Sequence, residues 1–164
     1  MGNEKLNKLL IGFIFLVVCF TLDRLSKIYI LNILNNEGQV DFYINQFLNI
    51  YLVWNTGIGF GLFSSEDKLF YNIITAIIVI INLVILYFAF IESKIKSFFL
   101  MIILGGSLGN LFDRVYYRAV PDFIDLNYEG YHWFIFTVAD IFISIGIICL
   151  ILGEILNYKS KNEK

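Results

Sequence analysis

A chain of 164 residues that is 59% hydrophobic, with a mean hydropathy of +0.75, exceeds the roughly half-apolar make-up of soluble domains. A formal net charge of −2 offers no basic surface for nucleic acid, so no nucleic-acid partner is expected. Cys19 and Cys149 sit in apolar runs without CxxC spacing, which excludes a disulfide framework and leaves them as small hydrophobes.

Residues 1–8 are polar and carry Lys5 and Lys8; Leu9 to Leu22 is then almost wholly apolar. This opening has the length of a signal-peptide core, and Leu16-Val17-Val18-Cys19 loosely resembles a lipobox. Val18 is too bulky for cleavage there, and the apolar pattern runs on through Leu25, Ile28, Tyr29, Ile30 and Leu31. The stretch therefore reads as a retained first span, about 9–30. Leu6 excludes N-myristoylation, which needs Ser or Thr at that position. Asp23 and Lys27 are four apart and share a helix face. The plain reading is an interfacial ion pair with Lys27 snorkelling to the surface.

The texture changes over 35–68. Phe42-Tyr43-Ile44 and Asn49-Ile50-Tyr51-Leu52-Val53 alternate in short stretches, which predicts a small β-platform over about 40–63. Asn55-Thr56-Gly57 reads as a turn, followed by a strand with glycine on one face. Gly57 is expected to have a positive φ or a close backbone neighbour. The stretch is no nucleotide motif, because it lacks both GxGxxG spacing and a Lys-Ser/Thr ending.

Residues 69–91 carry no charge and are long enough to span with some tilt. A short charged loop follows, then a third span over about 98–114. Gly105 and Gly109 in that span form a small-xxx-small pair suited to close helix packing. The fourth span is expected over about 133–155, with Tyr128, Tyr131 and Trp133 as an aromatic belt and His132 as an interface residue. The expected fold is an all-α membrane protein: one domain over 1–164, with four transmembrane helices and a small extracytoplasmic β-platform.

Seven Lys lie on the side of the termini and the 92–96 loop, against five Lys and Arg on the other. By the positive-inside rule both termini are expected in the cytoplasm. Asp23, Asp113, Asp122 and Asp125 then all lie toward the extracytoplasmic face. Asp140, seven residues into the fourth span, is placed roughly 10 Å below its outer end. Ionisable groups at membrane depth are functional candidates by default.

The chemistry available is narrow. Ser107 and Ser144 are the only serines in spans three and four, and no Lys or His is near enough in sequence to make either a nucleophile. Two aspartates in a low-dielectric site share one proton; one takes a proton from water while the other hydrogen-bonds the scissile carbonyl. No metal and no cofactor is needed.

At these positions the chain resembles the bacterial lipoprotein signal peptidases, the type II signal peptidases. Asp23-Arg24-Leu25-Ser26-Lys27 is similar to the family's D-Q-x-x-K, with Arg for Gln. Asn55-Thr56-Gly57-Ile58-Gly59-Phe60 is similar to N-x-G-x-A-F, with Gly for Ala. Gly105 to Arg114 matches G-G-x-L-G-N-x-x-D-R at every fixed place. Val120-Pro121-Asp122-Phe123 is similar to V-V-D-F, and Phe136-Thr137-Val138-Ala139-Asp140 to F-N-x-A-D, with Thr for Asn.

The resemblance implies an intramembrane aspartyl endopeptidase of the bacterial inner membrane. It would cut diacylglyceryl-modified prolipoproteins just before the lipidated cysteine. It implies Asp122 and Asp140 as the catalytic pair. Asp23, Lys27, Asn55, Gly57, Gly109, Asn110, Asp113, Arg114, Thr137 and Ala139 would support the site or touch substrate. Asp125 matches no required position. Prolipoprotein substrates and membrane lipids are the expected partners, and a monomer the expected state. A proton-coupled transporter would carry ionisable groups at several depths or internal repeats, and neither is visible. A metal-dependent lipid-phosphate transferase using Asp122, Asp125 and Asp140 is the other alternative, and chelator would separate it.

Overall fold

The computed structural model describes residues 2–57, 68–128 and 131–162. The elements run α1 (Gly2–Glu37), β1 (Asp41–Asn45), β2 (Leu48–Asn55), α2 (Lys68–Ile91), α3 (Lys94–Tyr116), β3 (Val120–Tyr128), β4 (Tyr131–Phe136) and α4 (Val138–Asn162). Each of the four helices carries a stretch long and apolar enough to cross a membrane. At about 1.5 Å per residue, the 36-residue α1 reaches ~54 Å, well beyond a ~30 Å hydrocarbon core. Its surplus end carries the chain into the sheet.

α3 is the element on which α1, α2 and α4 all pack. Of its span 44% is buried in protein, against 17%, 17% and 11% for the other three, whose apolar faces are left for lipid. Glycine makes this possible. A Cβ on Gly105 would stand 2.6 Å from the Leu16 carbonyl oxygen of α1, and one on Gly106 2.6 Å from that of Ala139 in α4. Small residues thus let two helices reach backbone contact with α3, as van der Waals association in lipid requires. At the other end Ser97 Oγ donates to the Ala89 carbonyl at 2.7 Å, tying the α2–α3 corner.

The four strands form one antiparallel sheet in the order β1-β2-β3-β4. Ile30, Val40 and Phe123, with Ile33, Leu52 and Val138 around them, seat it on the end of α1. The platform expected over 40–63 supplies β1 and β2; its residues 58–63 lie outside the described residues. The other half of the sheet was not foreseen. Residues 120–128, expected as loop, are β3, and residues 133–136, expected as the start of the fourth span, belong to β4.

The reason is that Trp133-Phe134-Ile135-Phe136 is apolar enough to pass for a span, but its partner is the β3 backbone: Ile124 pairs with Phe136 and Asp125 with Ile135. Apolarity alone cannot separate a strand from a helix end. Asp140 is accordingly in the first turn of α4, not seven residues into a span. Pro121 is tolerated in β3 because β4 reaches only as far as Ile124, so that end of the strand has a neighbour on one side alone.

Candidate active site

Asp122 is held by β3 opposite Val53 of β2, beside a shift in the β2–β3 register between Ile50 and Val53. Such irregularities re-aim side chains and favour active sites. Asp140 is held by a helix start. Thr137 precedes α4 and caps it: the Asp140 N–H donates to Thr137 Oγ1 at 3.3 Å, and the Thr137 N–H donates to Asp140 Oδ2 at 2.8 Å. This is a capping box with aspartate in the place of the usual Glu or Gln. The Thr137 hydroxyl donates to the same Oδ2 at 2.8 Å. Asp140 is thereby fixed on both sides of the cap.

Both carboxylates line one cavity of about 300 Å³, together with Asn55, Asn110, Arg114, Val120, Ser107, Ile143, Ser144, Ile78 and Ile81. Each receives an amide. Asn110 Nδ2 donates to Asp140 Oδ1 at 2.9 Å, and Asn55 Nδ2 donates to Asp122 Oδ2 at 2.8 Å. Neither asparagine is free to turn over. The Asn110 oxygen accepts from Lys27 Nζ at 2.7 Å, and the Asn55 oxygen accepts from the Gly57 N–H at 2.8 Å. A lysine can only donate, so it fixes which end of the amide faces Asp140.

Behind the cavity lies a second pair of acids with a different environment. Asp23, Lys27 and Asp113 are fully buried. Lys27 Nζ donates to Asp23 Oδ2 at 2.8 Å and to Asp113 Oδ2 at 2.7 Å. Arg24 lies 2.6 Å from Asp113 Oδ1 and stacks over the Phe112 ring at 4.9 Å. Asp23 Oδ1 accepts the Ala139 N–H at 3.0 Å, which ties α1 to the start of α4. Gly109 leaves the room: a Cβ there would come within 2.5 Å of Asp23 Oδ2. Lys27 therefore does not snorkel. Three acceptors from two helices hold it inside the bundle, an arrangement that spacing on its own helix could not reveal.

Arg114 Nη2 donates to the Gly57 carbonyl, its guanidinium lies 5.5 Å from the centre of the Tyr71 ring, and Nη1 has no hydrogen-bond partner among the described residues. Gly57 is buried. Its value to the turn is backbone access, with its N–H on Asn55 and its carbonyl on Arg114. Asp125 is fully buried but is not among the residues lining the cavity; it accepts His132 Nδ1 at 2.7 Å, drawing β4 onto β3.

The surroundings of the two cavity acids differ. Burial is the main force on Asp122 and pushes its carboxyl up to about 7 from 3.8. The Asn55 hydrogen bond opposes this and the neighbouring Asp140 charge adds to it. One oxygen, Oδ1, has no hydrogen-bond partner among the described residues. Among the described residues, Asp140 has three donors on its two oxygens. The arrangement can hold one proton on Asp122 beside the hydrogen-bonded Asp140.

The expected residues are thus brought together in two groups. Asp122, Asp140, Asn55, Asn110 and Arg114 line the cavity, with Thr137 and Gly57 holding them. Asp23, Lys27, Asp113, Gly109 and Ala139 form the support behind. Tyr71, Ile78 and Ile81 were not singled out from the sequence; a tyrosine and two isoleucines in an apolar span carry no signal of a site.

The sequence pattern described as Signal peptidase (SPase) II matches residues 15–156. A lipoprotein signal peptidase of Pelagibacter ubique is 46% identical over 165 aligned residues, covering 100% of this chain and 99% of its own length. One from Anaplasma phagocytophilum is 36% identical, covering 92% of this chain and 95% of its own. A solved bacterial membrane enzyme superposes with a TM-score of 0.73 at 31% identity, covering 93% of this chain and 92% of that one. This multi-pass bacterial membrane protein belongs to the signal peptidase II family.

Proposed function

We propose that Asp122 and Asp140 are the catalytic pair with which this aspartic-type endopeptidase removes signal peptides from prolipoproteins. The observation that carries the assignment is the shared cavity: two buried acids, Asp122 with its carboxyl pushed up to about 7 and Asp140 held by three donors, with no cation among the described residues bonded to either. In this reading Asp140 takes a proton from water as the water oxygen attacks the carbonyl carbon of the scissile bond. Asp122 gives its proton to the carbonyl oxygen. On collapse of the tetrahedral intermediate the leaving amine takes the proton held by Asp140 and the gem-diol returns one to Asp122. The products are the signal peptide's carboxyl group and the free amine of the lipidated cysteine. Arg114 Nη1 and Asp122 Oδ1, both without hydrogen-bond partners among the described residues, are polar atoms left for substrate.

The finer placement belongs to the same proposal. The enzyme lies in the bacterial inner membrane with both termini cytoplasmic, as the seven-to-five Lys and Arg count supports. The sheet and cavity then face the extracytoplasmic side, where a diacylglyceryl cysteine brings its peptide bond to the membrane boundary. The protein works as a monomer among lipids. The decisive experiment is cleavage of a diacylated prolipoprotein peptide by the purified protein, with the unlipidated twin as control. Cleavage just before the cysteine of the lipidated peptide is expected, and no cleavage overturns the reading. Labelling of cysteines placed at 3 or 162 from outside the cytoplasm would overturn the orientation.

A further inference from the structure

We propose that Ser107 and Ser144 form a hydroxyl subsite that holds the opened backbone of the substrate just before the scissile bond. The proposal rests on the peptidase reading above and deepens it.

A cavity of about 300 Å³ cannot take a helix, which is about 10 Å across with its side chains. It lies at the small end of ligand pockets, roughly 300–1,000 Å³, and fits a short stretch of extended chain. A signal peptide crossing the bilayer as a helix must therefore unwind where it enters. Unwinding frees backbone N–H and C=O groups at membrane depth, where lipid offers them no partner. The enzyme must supply one.

Beside the two carboxylates and the Asn55, Asn110 and Arg114 side chains, the same cavity is lined by Val120, by Ile78 and Ile81 of α2, by Ile143 of α4 and by the hydroxyls of Ser107 and Ser144. Serine in a helix commonly bonds back to its own backbone. Elsewhere in the bundle, hydroxyls do find carbonyls: Ser26 donates to Asp23, Thr75 to Tyr71 and Ser97 to Ala89, at 2.8, 2.9 and 2.7 Å. Ser107 and Ser144 have no such partner among the described residues and are half-buried.

Position fits the role. Ser144 is four residues, about 6 Å, along α4 from Asp140, and Ser107 is three residues, about 4.5 Å, along α3 from Asn110. Gly106 against Ala139 and Ile143 sets the two helices side by side, so the hydroxyls stand on adjoining walls. An extended chain advances about 3.3 Å per residue. Ser144 then meets the backbone about two residues upstream of the bond being cut. A hydroxyl both donates and accepts, so it can serve a freed N–H or a freed C=O.

The test combines Ser107→Ala, Ser144→Ala and the double variant with two lipidated peptides. One has all its amides; in the other a single amide, two residues before the scissile bond, is an ester that cannot donate and accepts weakly. On the amide peptide, Ser144→Ala should lower kcat/KM roughly three- to tenfold, one hydrogen bond's worth, and the double variant should lose more. On the ester peptide the wild-type enzyme should already show a similar loss, and Ser144→Ala should add little to it. A merely structural serine would weaken both peptides alike. Equal losses on the two peptides, or wild-type activity of the double variant on the amide peptide, overturn the proposal. A wild-type enzyme that fails to cut the amide peptide overturns the peptidase reading instead.

Discussion

The molecule holds two pairs of buried aspartates, joined through Asn110, and they are treated in opposite ways. Asp23 and Asp113 are compensated: Lys27 sits between them and Arg24 closes the remaining oxygen of Asp113. Asp122 and Asp140 are solvated by amides, a hydroxyl and a backbone N–H, and no cation among the described residues is bonded to either. Burial without a bonded cation raises the Asp122 carboxyl and keeps its proton available, whereas a cation held between two buried carboxylates ties their helices together. The contrast separates the proposed catalytic pair from the other two acids better than burial, which is nearly the same for all four.

The strongest way to break the comparison is to make the uncompensated pair permanently neutral. Asp122→Asn and Asp140→Asn keep shape but cannot exchange a proton, and each should lower turnover of a lipidated peptide by several decades in a folded protein. The double variant should be scarcely worse, because groups acting as a unit are non-additive. Chelator should change nothing. Substantial activity in either single variant would rule out the two-aspartate mechanism, and loss with chelator would point to a metal.

The compensated pair should fail in stability instead. Lys27→Met removes the shared cation and leaves buried charge behind, a loss of about 3–5 kcal/mol. Thermal unfolding in detergent measures it. Adding Asp113→Asn should recover part of the loss, since one of the stranded charges is then gone. Unfolding at the wild-type temperature in the single variant would mean that the cluster is not a support.

A smaller effect is expected at Thr137, whose hydroxyl and backbone N–H both serve Asp140 Oδ2. Thr137→Val keeps the shape and removes only the hydroxyl. Oδ2 keeps the N–H, but the Asp140 N–H loses its acceptor, and an unsatisfied buried polar group costs about 1–3 kcal/mol, or one to two decades in rate if the loss falls on the transition state. Wild-type turnover would show that the N–H alone suffices.

The mildest probe is pH. With Asp122 pushed up to about 7, its proton is present below that value and leaves above it, so kcat/KM should fall as pH rises through about 7. The stability sign is the same. Between 3.8 and about 7 the folded chain binds more protons at this group than the unfolded chain does. Its contribution is therefore full below 3.8 and lost as pH rises through about 7. Asp122→Asn should flatten that part of the unfolding profile, and an unchanged profile would place the titration elsewhere.

From the sequence alone, the spans and the acids were legible. Four apolar runs require four helices because lipid cannot satisfy a backbone, and the glycines of 105–109 required close packing around the third. The candidate aspartates stood out because ionisable groups are costly among apolar ones. What the sequence could not decide was pairing across distance. That Asp122 sits on a strand follows from hydrogen bonds between residues 48–55 and 120–126, and that Trp133 to Phe136 is a strand follows from its partner β3. Lys27 looked like an interfacial residue because its own helix shows only Asp23; its other two acceptors come from α3, more than eighty residues away. Periodicity and composition act along the chain and report which faces are apolar. Which carboxylate meets a cation and which meets amides and a hydroxyl is settled by contacts between elements far apart in the chain, α1 with α3 for the first, β2 with β3 and α3 with α4 for the second, and the proposed catalytic role follows that division.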